Sequence, residues 1–245
     1  MKIDISVDFT LDTPHYWDNF WNVCGGLGVG GEDPDAQSKT LQLYHQALWS
    51  RKLPCGETMD LKIGTGPNYL QWKDLRFGSD SIFASFRYHK YRYLLDEVQK
   101  AVPDYRSFVE NYLHKSYTIG GMMIFPKRPG SINQNRGTNR QLCDRWDLTL
   151  ECIRRYYNNE DSPIFTTLAK DKTFFDLFVD FKGFVNFFFL QDCVSKDYSR
   201  VDFWYGNGDF SEDPLPKTVE QYLLWIERQL TFVGNRNARI SDFYK

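Results

Sequence analysis

Long apolar runs, paired cysteines and clustered histidines are all missing from this sequence. The richest apolar stretch, residues 184–190, is interrupted by Asn186 and falls short of the roughly 20 residues that a membrane-spanning helix needs. The five cysteines are widely spaced without a CxxC pair, and the four histidines stand far apart. These absences exclude a membrane span, and they argue against a disulfide framework or a dedicated metal site. We therefore expect free thiols in the cytoplasm and no metal.

Net charge is also small, since 30 Lys and Arg residues against 32 Asp and Glu residues leave a formal charge of −2. No bulk charge therefore points to nucleic acid or to a membrane surface. Aromatic residues, in contrast, are abundant, with 20 Phe, 15 Tyr and 7 Trp among 245 residues. This composition excludes a disordered chain and predicts a sizeable buried core.

Hydrophobic periodicity predicts strands mainly in the first part of the chain and helices mainly in the second. Alternating apolar residues predict a half-buried strand over residues 2–10. Further strands are expected at residues 59–63, 69–72, 82–86, 118–125 and 200–205. Helices are expected at residues 38–50, 91–102, 105–113, 139–157 and 218–233. Nine phenylalanines between Phe165 and Phe189 mark the expected centre of the core.

These elements predict a single α+β domain over residues 1–245, with a small antiparallel N-terminal sheet and a helix-rich, phenylalanine-packed C-terminal half. Residues 1–126 would form a strand-rich part with helices, and residues 127–245 a mainly helical part. Residues 26–31 match the pattern GxGxxG, but three acids follow where a dinucleotide phosphate would lie. A mobile surface loop is therefore expected there instead of a dinucleotide site.

The most informative polar segment is the basic loop, which we define as residues 127–140. It holds four bases and no acid, and it ends where the helix expected from residue 139 would offer free N–H groups to an anion. Arginine also pairs with phosphate through two parallel hydrogen bonds. The loop therefore predicts a site for a phosphate-bearing ligand, either a nucleotide or nucleic acid. The predicted ligand-binding residues are Arg136 and Arg140 as the phosphate clamp, Asn133 to orient it, and Lys127 and Arg128 for longer-range attraction.

An internal role for the same arginines is the alternative hypothesis. Residues 1–37 carry seven acids and one base, which are enough to neutralise the basic loop inside the fold. The protein would then be a non-catalytic interaction or structural protein, with exposed aromatic residues forming its partner surface. The aromatic residues expected on that surface are Trp17, Trp21, Trp204 and Tyr205. The sequence leaves both hypotheses open, and it leaves the oligomeric state undetermined.

Three carboxylates on the expected 139–157 helix are the candidates for catalysis. Asp144, Asp147 and Glu151 share one face, which is either a solvated, salt-bridged surface or a surface packed against the basic loop. In the second case they would act as general bases or Mg²⁺ ligands in phosphoryl-transfer or phosphodiester chemistry. His45 is a further candidate base, with a buried core histidine as its alternative. Apart from Mg²⁺ in such chemistry, no cofactor is expected.

Several segments of the chain are distinctive as strings of residues. They are Asp33-Pro-Asp, the run from Thr40 to Pro54, YTIGGMMIFP at 117–126, SINQNRG at 131–137 and DRWDLTLECIRRYY at 144–157. Together they resemble a family of bacterial proteins classed as a domain of unknown function, from which residues 11–31 depart. The resemblance implies a bacterial or phage source and a full-length, single-domain organisation. It implies no catalytic residues.

Overall fold

The computed structural model of the protein describes residues 2–23, 33–64, 69–83 and 92–244. Helices dominate these residues, and they surround one four-stranded antiparallel sheet. The predicted α+β class, with a small sheet and a helix-rich second half, is confirmed. The glycine-rich segment at residues 26–31 lies outside the described residues.

The sheet is a simple meander in which every strand pairs with its neighbour in sequence. Its strands are β1 (Lys62–Ile63), β2 (Leu70–Trp72), β3 (Leu75–Ser81) and β4 (Met122–Pro126). The longest pairing runs from Phe77 opposite Pro126 to Ser81 opposite Met122. All five residues of β4 are buried, which agrees with the apolar run that predicted a strand there. The strand β3 was not predicted, and of the strand expected at residues 82–86, only residues 82 and 83 are described, outside any strand.

Eleven α-helices are assigned among the described residues, and several are a single turn. Those that precede β4 are α1 (Tyr16–Asp18), α2 (Pro34–Gln37), α3 (Lys39–Trp49), α4 (Arg92–Ala101) and α5 (Tyr105–Ser116). Those that follow it are α6 (Ile132–Thr138), α7 (Trp146–Tyr157), α8 (Phe165–Lys170), α9 (Lys172–Phe175), α10 (Phe181–Phe187) and α11 (Val219–Phe243). A π-helix covers Asn19–Val23, and 3₁₀ turns cover Ile119–Gly121, Asp176–Phe178 and Gln191–Cys193. The helices expected at residues 38–50, 91–102, 105–113 and 218–233 are all present.

Side-chain caps account for where two of these helices begin. The Ser38 hydroxyl accepts from the Leu41 N–H at 3.0 Å and starts α3, and the Thr218 hydroxyl accepts from the Gln221 N–H at 3.3 Å and starts α11. Each bond satisfies one of the N–H groups that a helix leaves without an internal partner. The sequence signals for both N-termini were therefore local and readable.

The strand predicted over residues 2–10 is wrong. Ile3 and Phe9 are buried as the alternation requires, but the backbone forms turns. The carboxylates of Asp4 and Asp8 accept hydrogen bonds from the N–H groups of Ser6 and Thr10, each at 2.9 Å. Aspartate bonded to the backbone two residues on stabilises a turn in place of extended chain. The strand expected at residues 200–205 is likewise reduced to one isolated bridge between Val194 and Val201.

The helix predicted from residue 139 begins instead at Trp146. Residues 139–145 form turns, in which Cys143 and Asp144 adopt the left-handed region with φ of 49° and 63°. Such values are incompatible with a continuous right-handed helix. The basic loop itself contains the short helix α6. Consequently Arg140 and Asp144 do not share a helical face with Glu151, and the loop does not end at the N-terminus of α7.

The phenylalanine-rich segment forms the predicted aromatic core. Phe178 is fully buried, and its ring centroid lies 5.1–5.3 Å from those of four neighbouring phenylalanines. These neighbours are Phe174, Phe184, Phe187 and Phe188. Ring pairs at such separations add about 0.5–1.5 kcal/mol each beyond the area that they bury.

One buried guanidinium on α11 hydrogen-bonds both to this core and to the sheet. Arg236 donates to the carbonyl oxygens of Gly120 and Met122, each at 2.8 Å, and to that of Phe188 at 2.9 Å. Gly120 also lets α11 approach closely, because a Cβ there would collide with the Val233 carbonyl. The end of the 3₁₀ turn before β4, the strand itself and the aromatic segment therefore meet at one side chain.

Among the described residues, no helix combines the length and the apolar character that a bilayer crossing requires. The described cysteines are all free thiols, with Cys55 exposed and the others buried. The buried ones are Cys143, Cys152 and Cys193.

Candidate functional site

A cleft of about 810 Å³ lies where the start of α3, the strands β2 and β3, and the basic loop come together. We call the contribution of β2 and β3, together with Asp35, the strand side of the cleft. The lining residues from the helical segment are Asp35, Ala36, Ser38, Lys39 and Gln42; those from the sheet region are Tyr69, which directly precedes β2, and Gly78 and Ser79 of β3; those from the basic loop are Lys127, Arg128, Pro129, Ser131, Asn133 and Gln134. Of the predicted ligand-binding residues, the structure thus brings Lys127, Arg128 and Asn133 to one site.

The basic loop is aligned against β3 from its first residue. The Lys127 N–H donates to the Arg76 carbonyl oxygen at 2.8 Å, which continues the β3–β4 ladder by one step. A Cβ at Gly78 would lie 3.5 Å from Lys127 Cδ, so the lysine stem passes directly over this glycine. The lysine is exposed and therefore carries its charge at the mouth of the cleft.

Arg128 lines the cleft, but its guanidinium is used within the fold. Its Nε and Nη2 donate to the two carboxylate oxygens of Asp171 at 2.6 and 2.9 Å. Nη2 also donates to the Thr167 carbonyl at 3.0 Å, and Nη1 to the carbonyls of Pro129 and Gly130. A bidentate pair supplemented by three carbonyls engages the whole donor set of an arginine. Arg128 therefore anchors the loop to the segment around α8.

Arg136 lies behind the cleft and not in its lining, with an exposed fraction of 1%. Its Nε donates to Asp80 Oδ2 at 3.1 Å, and its Nη2 lies 3.1 Å from Asp144 Oδ1. It also donates to the Ser81 carbonyl. The partners of this arginine thus belong to β3 and to the turn before α7, whereas the acidic segment over residues 1–37 supplies none of these bonds. Arg140, the other predicted clamp residue, is exposed and lies outside the cleft lining.

The carboxylates predicted for catalysis are dispersed among structural ion pairs. Asp144 pairs with Arg136, as described above. Asp147 has an exposed fraction of 0%, accepts from Arg145 Nε at 3.1 Å and accepts from the Trp204 N–H at 2.8 Å. Glu151 is also buried and is bound by two arginines of its own helix, Arg154 and Arg155, with the closest contacts at 2.8 Å. None of these three carboxylates lines the cleft.

His45 does not line the cleft, but it contacts Tyr69, which does. Its Nδ1 is 3.3 Å from the hydroxyl of Tyr69. Burial, and then the nearby positive charge of Arg236, lower the pKa of His45 to about 3. The ring is therefore neutral at physiological pH, and its hydrogen-bonding contact with the cleft is to Tyr69.

Asp35 is the ionisable residue of the cleft that sequence reasoning missed. Its Oδ1 accepts from the Ser79 hydroxyl at 3.1 Å, and its Oδ2 accepts from the Ser81 N–H at 3.2 Å. Burial, reinforced by the carboxylates of Asp33 and Asp80, raises the pKa of Asp35 well above its usual range. A perturbed carboxyl group in a cleft is a recognised mark of a functional site.

Lys39, Tyr69 and Ser79 were also missed, because nothing in the sequence distinguishes them from other polar residues. Lys39 is the exposed first residue of α3. Together with Lys127 it supplies positive charge to a cleft in which Asp35, a carboxyl group of raised pKa, is the one acid among the described lining residues. Hydroxyl and amide groups supply the remaining polar lining. Such a set of groups suits a small anionic molecule.

Metal binding receives no geometric support in the part of the chain that is described. No group of three or more His, Cys, Asp or Glu side chains is arranged there to hold an ion. Asp33, Asp35, Asp80 and Asp144 approach one another, but Arg136 contributes a positive charge among them.

Comparison with known proteins gives a family and nothing finer. No curated protein and no solved structure is significantly similar to the chain. The model of a family of unknown function (DUF6994) matches residues 3–240, which include every residue of the cleft. The chain therefore belongs to this family of unknown function.

Proposed function

We propose that the protein binds a small phosphate-bearing molecule, of about the size of a nucleotide, in the cleft between α3, the sheet and the basic loop. Small-molecule sites typically enclose about 300–1,000 Å³, and this cleft has a volume of about 810 Å³. The observation that carries the proposal is the placement of Lys39 and Lys127 around a cleft in which Asp35 is the only carboxyl among the described lining residues.

The charges in the cleft favour an anion. Both lysines are exposed, so they reach a ligand without the cost of burying an ammonium group. Burial and neighbouring carboxylates raise the pKa of Asp35, so this residue opposes an anion less than an ordinary aspartate would. Hydrogen bonds between a charged donor and a phosphate are worth about 1.5–3 kcal/mol each. Two such bonds would together contribute about 3–6 kcal/mol to the binding of a phosphate.

A nucleotide is favoured over nucleic acid as the ligand. Affinity for nucleic acid comes mainly from many simultaneous phosphate contacts, whereas the chain has a formal charge of −2. Arg128 and Arg136, two of the four bases in the basic loop, are held by Asp171 and by Asp80 with Asp144. We propose a free nucleotide or a similar phosphate compound of the cytoplasm as the ligand.

The proposal is one of binding and does not assign a reaction. Phosphoryl-transfer or phosphodiester chemistry was attached to Asp144, Asp147 and Glu151, which lie outside the cleft lining. The alternative hypothesis of an interaction protein gains support from the internal ion pairs of Arg128 and Arg136. It loses support from the aromatic residues, because Trp204 is buried and its three companions are partly buried. The companions are Trp17, Trp21 and Tyr205.

The test uses two charge removals within the same basic loop. Lys127→Ala removes a cation that lines the cleft, whereas Arg140→Ala removes an exposed cation that does not. We expect Lys127→Ala to weaken binding of a nucleoside monophosphate roughly 10- to 100-fold, as the loss of a charged hydrogen bond implies. Arg140→Ala should change it less than about twofold, because a surface charge away from the site is screened by salt.

Isothermal titration calorimetry with a panel of nucleoside monophosphates provides the measurement, and Lys39→Ala repeats the comparison from the opposite side of the cleft. If no nucleotide binds the unmodified protein, the proposal is wrong. It is also wrong if Arg140→Ala weakens binding as much as Lys127→Ala does.

A further inference from the structure

A continuous chain of hydrogen-bonding side chains leads from the cleft into the core. Asp35 Oδ1 lies 3.1 Å from the Ser79 hydroxyl, and Ser79 in turn hydrogen-bonds the hydroxyl of Tyr69. Tyr69 is 3.3 Å from Nδ1 of the buried His45. Asp35, Ser79 and Tyr69 all line the cleft, so a ligand that fills it meets three members of this chain.

The surroundings of Asp35 determine which of its protonation states can exist there. Asp35 lies on the short helix α2, which Asp33 precedes, and Asp80 lies on β3. Two further carboxylates, those of Asp33 and Asp80, are therefore close to that of Asp35. Arg136 on α6 contributes a positive charge nearby, but its hydrogen bonds are made with Asp80 and Ser81. Lys39 and Lys127 also line the cleft.

A proton on Asp35 changes the direction of the hydrogen bonds in the chain. Deprotonated Asp35 can only accept, and it then takes the Ser79 proton away from the cleft. Protonated Asp35 can donate to a ligand, and because it no longer requires the serine proton, Ser79 can turn its own proton to the ligand as well. The Ser81 N–H bond at 3.2 Å to Oδ2 holds the carboxyl group in place in either state.

Tyr69 is held as a donor by the same arrangement. Burial is the largest cause that raises the pKa of its hydroxyl well above the usual value. The neutral ring of His45 can donate its Nδ1 proton to the tyrosine oxygen. The proton of the tyrosine hydroxyl is then available to a ligand in the cleft. Neutral donors of this kind, a buried carboxylic acid and a tyrosine, stabilise oxyanions in other proteins.

We propose that protonated Asp35, Ser79 and Tyr69 form a subsite that binds the terminal oxygens of a phosphomonoester, and that Asp35 determines its specificity. This inference rests on the proposed function, since it places the phosphate of that ligand. A phosphoryl group on a monoester presents three strong acceptor oxygens, which match the three donors. A phosphodiester has only two terminal oxygens and would leave one donor unpaired, which costs affinity.

Three substitutions separate a protonated Asp35 from a charged one. Asp35→Asn keeps a neutral group of the same shape that both donates and accepts, whereas Asp35→Ala removes the group. Tyr69→Phe removes one donor and leaves the ring. The probes are methyl phosphate as the monoester and dimethyl phosphate as the diester, and binding is followed by NMR shift titration of the whole protein. Melting temperatures verify that each variant is folded.

At about pH 6, we expect Asp35→Asn to bind methyl phosphate within about threefold of the unmodified protein, and Asp35→Ala and Tyr69→Phe to bind at least about tenfold more weakly. Dimethyl phosphate should bind at least about tenfold more weakly than methyl phosphate. In a scan from about pH 6 to about pH 9, the affinity of the unmodified protein relative to Asp35→Asn should fall with rising pH as Asp35 loses its proton, by up to about tenfold per unit. Because the probe ionises equally in both titrations, the ratio of the two affinities does not depend on the ionisation of the probe.

Equal losses in Asp35→Asn and Asp35→Ala at the lower pH would overturn the inference, since the carboxylate would then be required. So would a relative affinity that is the same at both pH values, or equal binding of the two probes. The proposed function fails separately, when no nucleotide binds or when Lys127→Ala has no effect. Nucleotide binding that depends on Lys127 but not on Asp35 or Tyr69 would refute the subsite alone.

Discussion

Replacing Arg136 with alanine separates a structural arginine from a ligand clamp more directly than any other change. The guanidinium is 1% exposed and lies between Asp80 and Asp144, with a further bond to the Ser81 carbonyl. Alanine would leave both carboxylates without this partner and would empty the volume of a long side chain. We therefore expect Arg136→Ala to fold less stably, whether or not a ligand is present.

The magnitude follows from the burial of the ion pairs. Removing one partner of a buried pair typically costs about 3–5 kcal/mol, because the remaining charge stays desolvated. For a chain of this length each kcal/mol corresponds to about 2–4 °C, so the melting temperature should fall by roughly 6–20 °C. The loss should be smaller near pH 5.5, because the pKa of Asp80 is raised to about 7 and this carboxyl then takes up a proton.

Urea denaturation followed by circular dichroism gives the free energy of unfolding, and Arg140→Ala is the matched control. Arg140 belongs to the same loop and carries the same charge, but it is exposed, so its removal should change stability by no more than about 0.5 kcal/mol. A loss below about 1 kcal/mol for Arg136→Ala, or an equal loss in the control, would refute the reasoning. If Arg136→Ala were stable but failed to bind nucleotides, the arginine would be a phosphate clamp after all.

Two further predictions concern the core and the buried carboxylates. Phe178→Ala should lower the free energy of unfolding by about 3–5 kcal/mol, since this fully buried ring contacts four other phenylalanines; a loss under about 1 kcal/mol in urea would contradict this position of the core. Burial, opposed by Arg136 and reinforced by Asp144 and Asp33, raises the pKa of Asp80 to about 7, so folding favours the protonated form. The stabilisation from this proton is complete below the unfolded pKa of about 3.9 and is lost as the pH rises through 7, by up to about 1.4 kcal/mol per pH unit. The free energy of unfolding of Asp80→Asn should therefore depend less steeply on pH between about pH 5 and 7. An unchanged slope would show that Asp80 does not titrate there.

Local signals in the sequence were sufficient for much of the fold. Helical spacing predicted α3 and α11, and the structure adds a capping hydroxyl at Ser38 and Thr218; both signals act within one or two turns. The phenylalanine-rich segment predicted the core, because so many aromatic side chains have nowhere else to be buried. The burial of β4 followed from its unbroken apolar run.

The errors arose where a side chain or a distant contact overrides the hydrophobic pattern. Asp4 and Asp8 bind the backbone and turn a chain that alternates like a strand. Left-handed backbone at Cys143 and Asp144 delays the start of α7, although the apolar spacing continues through those residues. Periodicity reports which residues are buried, but it does not report competing side-chain hydrogen bonds.

The candidate site was predictable only in its loop. The absence of acids identified the segment that contains Lys127 and Asn133, but the strand side and the other lysine come from segments far away in sequence. Asp35 and Ser79 are 44 positions apart, and Arg136 finds Asp80 across 56. Charge composition identifies a basic segment, but which carboxylates pair with its arginines depends on the tertiary fold.

The position of Arg236 bears on how the chain is made in the cell. Its three acceptors, the carbonyls of Gly120, Met122 and Phe188, all precede it in sequence. A ribosome releases residues in order, so these carbonyls leave the exit tunnel before the side chain that will bind them exists outside it. The three hydrogen bonds that join the turn before β4, β4 itself and the phenylalanine-rich segment therefore form only after Arg236 has left the tunnel. This contact between three segments is thus made late in synthesis, and incompletely packed chains are in general the species that aggregate or engage chaperones.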